Sequence, residues 1–341
     1  MIVRDEAAAL PKALASIHGA PEVIICDTGS RDETREIAKA HGARVVDFSW
    51  CDDFSAARAF AESQASYDWI MRLDADERVM PCSPRLLSAE YADRGYKFYE
   101  GSLVEAVCAI LRETKSDVVS QMFVRRCHSP GNDHWFPRLH RRSCFKWVYP
   151  VHELIKPRVG HRPICEALDG FVMAHDRDAR PRPYRAILEE AIHAHPGDPY
   201  LAFHLGQACW EESDWAGTIK TLDHYQSLNG GYRFHRGEAL RMNGEAWENL
   251  GVTDRALAAY VDSSRVEGRA EPLWQAACLA LRLGDVEKAM KWVVEGAALA
   301  KSPPREMQPF GGLDFPYLLD WRRYDLNSWC NLREQILGKE P

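Results

Sequence analysis

The chain has 341 residues, 46% hydrophobic and 27% charged, and its 43 Lys or Arg against 50 Asp or Glu leave a net charge of −7. At roughly 150 residues per domain, the length predicts two domains with a core each, and the acidic balance argues against a protein living mainly on nucleic acid or anionic membrane. No apolar run approaches the roughly 18 residues of a spanning helix, and the N-terminus lacks a signal-peptide core. The ten cysteines stand at least 17 residues apart, so no CxxC pair exists for zinc or redox work. Such scattered thiols fit a reducing compartment, and a cytoplasmic protein is expected.

Short apolar strands alternate with amphipathic helices over the first 175 or so residues. Val23 to Cys26 reads as a buried strand ending at Asp27. The turn-rich Thr28-Gly29-Ser30 follows, then a helix from about Arg31 to His41. Val45 to Phe48 is a second strand, Phe54 to Ser66 a helix, and Trp69 to Leu73 a third strand delivering Asp74-Ala75-Asp76-Glu77. This βαβαβ order predicts a parallel sheet whose ligand site lies at the carboxyl ends of its strands.

From Pro181-Arg182-Pro183 onward only helical patterning remains. GVTDRALAAY from Gly251 and GDVEKAMKWV from Gly284 are self-similar and start 33 residues apart, and SDWAGTIKTL from Ser213 starts 38 residues before the first of them. Each follows a helix with small residues on one face: Leu201 to Trp210, Gly237 to Leu250, and Leu273 to Leu283. A period near 34 with a Gly or Ser turn between paired helices resembles the tetratricopeptide repeat. One helix pair cannot bury its apolar face alone, but three stacked pairs can. The expected divisions are 1–180, 181–301 for the repeats, and 302–341 for an irregular cap.

Chemistry concentrates at two strand ends. Asp74 and Asp76, one residue apart, are hard oxygen donors of the kind that hold Mg²⁺ or Mn²⁺ against a diphosphate. A bare DxD is common by chance; its place at a strand end, followed by a third acid, gives it weight. Asp27 can accept hydrogen bonds from a base or ribose, while Thr28 or Ser30 can cap the next helix. There is neither a GxGxxG nor a GxxxxGK[ST] string, which removes the dinucleotide and P-loop readings.

Taken in order, MIVRDE, VIICDTGSRDET, WCDDFSAARAFA, DWIMRLDADE and PRLHRRSCFKWVYPVHEL resemble a family 2 glycosyltransferase of GT-A fold over about residues 1–178. The tetratricopeptide-like tail also resembles a subgroup of these enzymes. The resemblance implies an α/β GT-A domain, Rossmann-like and nucleotide-sugar-binding, followed by an all-α repeat domain. It implies inverting transfer of a sugar from a nucleotide diphosphate donor, UDP-sugar foremost, with Mn²⁺ or Mg²⁺. By the same resemblance Val3, Arg4 and Glu6 wrap the base, Asp27 binds uracil or ribose, and Asp74 contacts ribose or metal-bound water. Asp76 ligates the metal, His175 completes its shell, and Glu153 in VHEL is the base that takes the acceptor proton. Such relatives begin their first strand a few residues before the MIVRDE block, so either a shortened first strand or a start further upstream is expected here.

Between Gln121 and Arg162 stand nine Lys or Arg against Asp133 and Glu153. They read either as a solvated face or as an electropositive rim for diphosphate, with Arg138, Arg141 and Arg142 as its candidates. His128, His134 and His140 are spaced by six, and no zinc site is expected from them. The repeats carry no catalytic constellation, so they are expected to recognise an acceptor, which can be a protein, or to drive self-association into a homo-oligomer. The competing reading is a degenerate transferase domain serving as a scaffold beside a protein-binding repeat. Transfer onto modified DNA bases has little support, because nothing reads a groove or stacks bases.

Overall fold

The computed structural model describes residues 1–81, 105, 120–129, 132–175 and 184–301. The chain divides into two compact units, Met1–Arg182 and Pro183–Pro341. The expected linker at Pro181-Arg182-Pro183 and the expected cap at 302–341 lie outside the described residues.

The first unit contains β1 (Ile2–Val3), α1 (Leu10–Ser16), β2 (Ile24–Asp27), α2 (Thr34–Ala40), β3 (Arg44–Asp47), α3 (Phe54–Ser63), β4 (Trp69–Met71) and β5 (Glu77–Pro81). There follow β6 (Gln121–Ser129), β7 (Asn132–Arg141), β8 (Phe145–Val148), β9 (Leu154–Pro157) and β10 (Cys165–His175). Strands β1, β2 and β3 form a parallel sheet, with Ile2 opposite Cys26 and Val3 opposite Asp27. Five strands in the order β4-β7-β6-β10-β5 form a second sheet, and β8 pairs with β9. This corrects the expected single parallel sheet. With three residues β4 has few ladder bonds to offer, and it takes the ten-residue β7 as an antiparallel partner, Trp69 facing Arg141 and Met71 facing Leu139. The Arg141 guanidinium lies 5.3 Å from the Trp69 ring centre, a cross-strand contact that favours this pairing.

One core holds both sheets. Leu10, Ala13, Leu14 and Ile17 recur at helical spacing on one side of α1 and join Ile25 of the parallel sheet with Val79, Leu139 and Met173 of the other. Helix α3 begins where Asp53 caps it, the carboxylate accepting from Ala56 N at 2.9 Å. Its other face carries Ser55, Arg58 and Glu62 at i, i+3 and i+7, which puts three polar side chains in line toward β8 and the loop after it.

In the second unit α4 (Arg185–Ala194) precedes three helix pairs: α5 (Pro199–Glu211) with α6 (Trp215–Ser227), α7 (Arg233–Asn249) with α8 (Thr253–Glu267), and α9 (Glu271–Arg282) with α10 (Val286–Lys301). The first residue of each self-similar string, Ser213, Gly251 and Gly284, occupies the same left-handed position between its two helices, at φ of 60°, 75° and 80°. The next residue's N–H then reaches back five residues: Asp214 to Cys209, Val252 to Trp247 and Asp285 to Ala280, each at 2.9 Å. This is the Schellman closure, and it explains why the repeat in sequence begins at that point. Glycines inside the helices allow close approach. A Cβ on Gly206 would stand 2.2 Å from Leu222, and one on Gly244 would stand 2.6 Å from the Tyr260 ring.

Candidate functional site

The carboxyl end of β2 is closed by its own loop. Asp27, 2% exposed, accepts from Ser30 N at 3.1 Å and from Arg35 Nη1 at 2.7 Å, and Arg35 also reaches Asp47. The Val3 carbonyl accepts from both Thr28 N and Thr28 Oγ1, while Glu6 N donates to Thr34 Oγ1 at 2.7 Å. Asp5 accepts from Arg31 N at 2.7 Å, which zips residues 3–7 onto residues 27–34. Neither Thr28 nor Ser30 caps α2: their hydroxyls turn back to Val3 and Asp27 instead. Arg4 is exposed beside this loop.

At the end of β4 the acids meet arginines from distant elements. Asp74 Oδ1 accepts from Arg58 Nη2 at 2.9 Å, Asp74 Oδ2 lies 3.5 Å from Arg72 Nη2, and Arg138 Nη1 stands 4.0 Å away. Arg58 turns its Nε to Glu153 Oε1 at 2.6 Å, so one guanidinium joins Asp74 to Glu153. Glu77 is fully buried. It accepts from Arg138 Nη2 at 2.5 Å and from Asp74 N at 3.1 Å, which fixes the turn carrying Asp74 and Asp76. Asp76 is half-buried on that turn. In the β5–β10 ladder His175 pairs with Glu77, so its backbone lies across from the residue after Asp76.

Trp147 on β8 underlies this cluster, its ring centre 5.2 Å from the Arg58 guanidinium and 5.6 Å from that of Arg72. The indole N–H donates to Glu62 Oε1 at 2.6 Å, and His140 Nε2 stands 3.0 Å from the same oxygen. Glu153 follows a loop in which Tyr149 and His152 take left-handed backbone angles, φ 73° and 51°. Side chains rarely adopt these, and they persist where the surroundings hold them. Here the N-terminus of α3 does so, with Ser55 Oγ bonded to the Tyr149 carbonyl and Phe54 N to the Pro150 carbonyl at 2.8 Å.

Burial alone would raise the carboxyl pKa of Asp74 and Glu153. The facing guanidiniums of Arg58 and Arg72 outweigh it, with Arg138 adding to the effect at Asp74, and both acids are held below the usual carboxylate range. Burial and the neighbouring Arg58 push Arg72 down, and burial pushes His152 down against the opposing charge of Glu153.

Arg138, Arg141 and Arg142, the candidates for an electropositive rim, are held in three different places. Arg138 is fully buried against Glu77, and Arg141 lies at the opposite end of β4, stacked on Trp69 and 3.7 Å from Asp68. Arg142 donates to the Glu62 and Ala65 carbonyls at the end of α3. The cations that gather at the acids are instead Arg58 and Arg72, with Arg138 behind them. Motif spacing along the chain points to neither Arg58 nor Arg72, and to Glu77 only as the third acid after the DxD. The remaining signal for Arg58 is its i+3 position from Ser55 on a helix whose cap is readable. Asp176 and Asp178, the next acids after His175, lie outside the described residues. Among the described residues no group of three His, Cys, Asp or Glu side chains is gathered as for a metal ion, and no helix is long and apolar enough to cross a membrane.

Residues 1–150 match the family model described as Glycosyl transferase family 2. A TPR repeat-containing protein of Synechococcus elongatus is 53% identical over 81 residues, 24% of this chain and 20% of that protein. An uncharacterized glycosyltransferase of Rickettsia prowazekii is 36% identical over 80 residues, 23% of this chain and 27% of that protein. The chain thus spans about a fifth to a quarter of the length of these curated relatives. Among solved structures it is similar to PcrH in complex with the chaperone binding region of PopD, with TM-score 0.33, 15% identity, and coverage of 45% of this chain and 96% of that one. It is also similar to MamA, with TM-score 0.32, 13% identity, and coverage of 46% and 76%. Both acid-bearing strand ends, with Asp27 and Asp74, fall within the segment that the family model matches, and residues 1–150 are a glycosyl transferase family 2 domain.

Proposed function

We propose that the chain is a metal-dependent inverting glycosyltransferase using a nucleotide diphosphate donor, UDP-sugar foremost, with the repeats selecting the acceptor. The observation that carries this reading is the Arg58 bridge, which holds Asp74 and Glu153 around one guanidinium. Inverting transfer needs in-line attack on the anomeric carbon, with a carboxylate ready to take the acceptor proton on the face away from the diphosphate. Asp74 and Asp76 serve the donor side. Glu153, kept ionised by Arg58 and Arg72, serves as the base.

Asp76 and His175 are the residues that would hold Mn²⁺ or Mg²⁺. One carboxylate and one imidazole are a donor set that suits Mn²⁺ and leaves the other positions to phosphate oxygens and water. The metal would supply positive charge to the departing nucleotide. Asp27, with Val3, Arg4 and Glu6 beside it, forms the base and ribose end. The test is thermal stabilisation by UDP with Mn²⁺. The wild type is expected to gain stability and Asp76→Asn to lose most of that gain while melting normally without ligand. A wild type indifferent to UDP and Mn²⁺ would favour the scaffold reading instead.

A further inference from the structure

Three guanidiniums surround Asp74, and they are not equally satisfied. Arg58 has two carboxylate bonds, at 2.6 and 2.9 Å, and Arg138 has Glu77 at 2.5 Å. Arg72 has a single long contact, 3.5 Å to an Asp74 carboxylate that Arg58 already engages. Its Nε is buried without a hydrogen-bond partner among the described residues, and its side chain keeps 20% of its surface open. Trp147 supports the guanidinium plane from 5.6 Å, a contact that orients it without neutralising it. A cation held in this way is costly, and a ligand's negative charge would remove the cost.

Resting on the transferase reading above, we infer that Arg72 is the side chain that recognises an anionic group of the substrate. That group is the donor diphosphate or a carboxylate on the transferred sugar; both present the paired oxygens that a planar guanidinium grips two at a time. Arg72 stands two residues before Asp74, and its backbone N–H donates to the Arg138 carbonyl at 2.8 Å, so its position is set by the strand. The role expected of Arg138 and Arg141 therefore passes to a residue next to the DxD.

The experiment is calorimetry in Mn²⁺ with uridine, inorganic pyrophosphate, UDP, UDP-glucose and UDP-glucuronate on the wild type, Arg72→Met and Arg72→Lys. Losing a charge-assisted pair should weaken binding about 10–100-fold. A fall for pyrophosphate and UDP in Arg72→Met, with uridine unchanged, assigns Arg72 to the diphosphate. A fall confined to UDP-glucuronate assigns it to the sugar carboxylate. The unliganded melting temperature should hold or rise in Arg72→Met, since an under-compensated buried charge is removed; a merely structural arginine would lower it. Unchanged affinity for every ligand overturns the inference. If Arg72→Met does not fold, Arg72→Lys decides: a loss of tenfold or more supports the role, and wild-type affinity overturns it. A wild type that binds none of the five overturns the transferase reading and this inference together.

Discussion

The two units differ in how deeply their ion pairs are set. In the α/β unit two buried ion pairs join distant parts of the chain: Arg138 to Glu77, both fully buried, and Arg58 on α3 to Glu153 after β8. In the repeat unit Arg185 joins Glu189, Glu212 and Asp214 at side chains 30–53% exposed, Arg241 pairs with Glu238 and Glu245 one turn away on its own helix, and Arg269 reaches Glu238 and Glu271 at side chains 12–13% exposed. Exposed or one-turn pairs contribute little and need no special assembly. Buried pairs are costly to form and costlier to break, so a fold keeps them where something besides stability is served. The deepest of these pairs, Arg138 with Glu77, lies in the first unit beside the proposed site.

The largest expected effect tests that placement directly. Glu153→Gln keeps an oxygen for Arg58 but removes the basicity. It is expected to lower kcat about 10²–10⁴-fold with donor affinity nearly intact, by steady-state kinetics and calorimetry. A loss of donor affinity with kcat unchanged would make Glu153 a binding residue.

Next comes the cost of breaking a buried pair. Arg138→Met removes the guanidinium 2.5 Å from the buried Glu77 carboxylate and should destabilise the α/β unit by about 3–5 kcal/mol. Arg185→Met in the repeat unit should cost no more than about 1 kcal/mol. Urea unfolding followed by hydrogen exchange in each unit measures both, and equal costs would erase the contrast.

Acid should probe the buried charges of the α/β unit. The folded pKa values of Asp74 and Glu153 lie below the usual range, so their contribution is present above about pH 4 and is lost as pH falls through the folded values. His152, depressed by burial, contributes while neutral, and that part is lost as pH falls from about 6.5 toward its folded value. Hydrogen exchange should show the α/β unit weakening from just below pH 6.5. In His152→Asn, which suits the left-handed backbone, the upper part of that slope should disappear. An unchanged slope in that variant would contradict the assignment.

A smaller effect belongs to the repeats. Gly244→Ala drives a methyl into the Tyr260 ring and should cost about 1–3 kcal/mol of the stability of α7 against α8. Catalysis on small acceptors should be unaffected. A variant as stable as the wild type would mean that the helices separate freely.

The sequence by itself determined the alternation of strands and helices, the acids at the ends of β2 and β4, and the phase of the repeats. These are local matters. Ser213, Gly251 and Gly284 mark their turns because a left-handed residue can be recognised one position at a time. Tertiary structure alone decided which arginine serves which acid. On β7 Arg138, Leu139 and His140 are all buried, so the in-and-out alternation that would sort its side chains is missing. Nine cations in one stretch then look equivalent, and only strand pairing separates Arg138, set inward against Glu77, from Arg141 at the far end. Arg58 and Arg72 became visible for the same reason. A guanidinium's partner is chosen by packing between elements that meet only in the folded chain, and no spacing along the sequence encodes it.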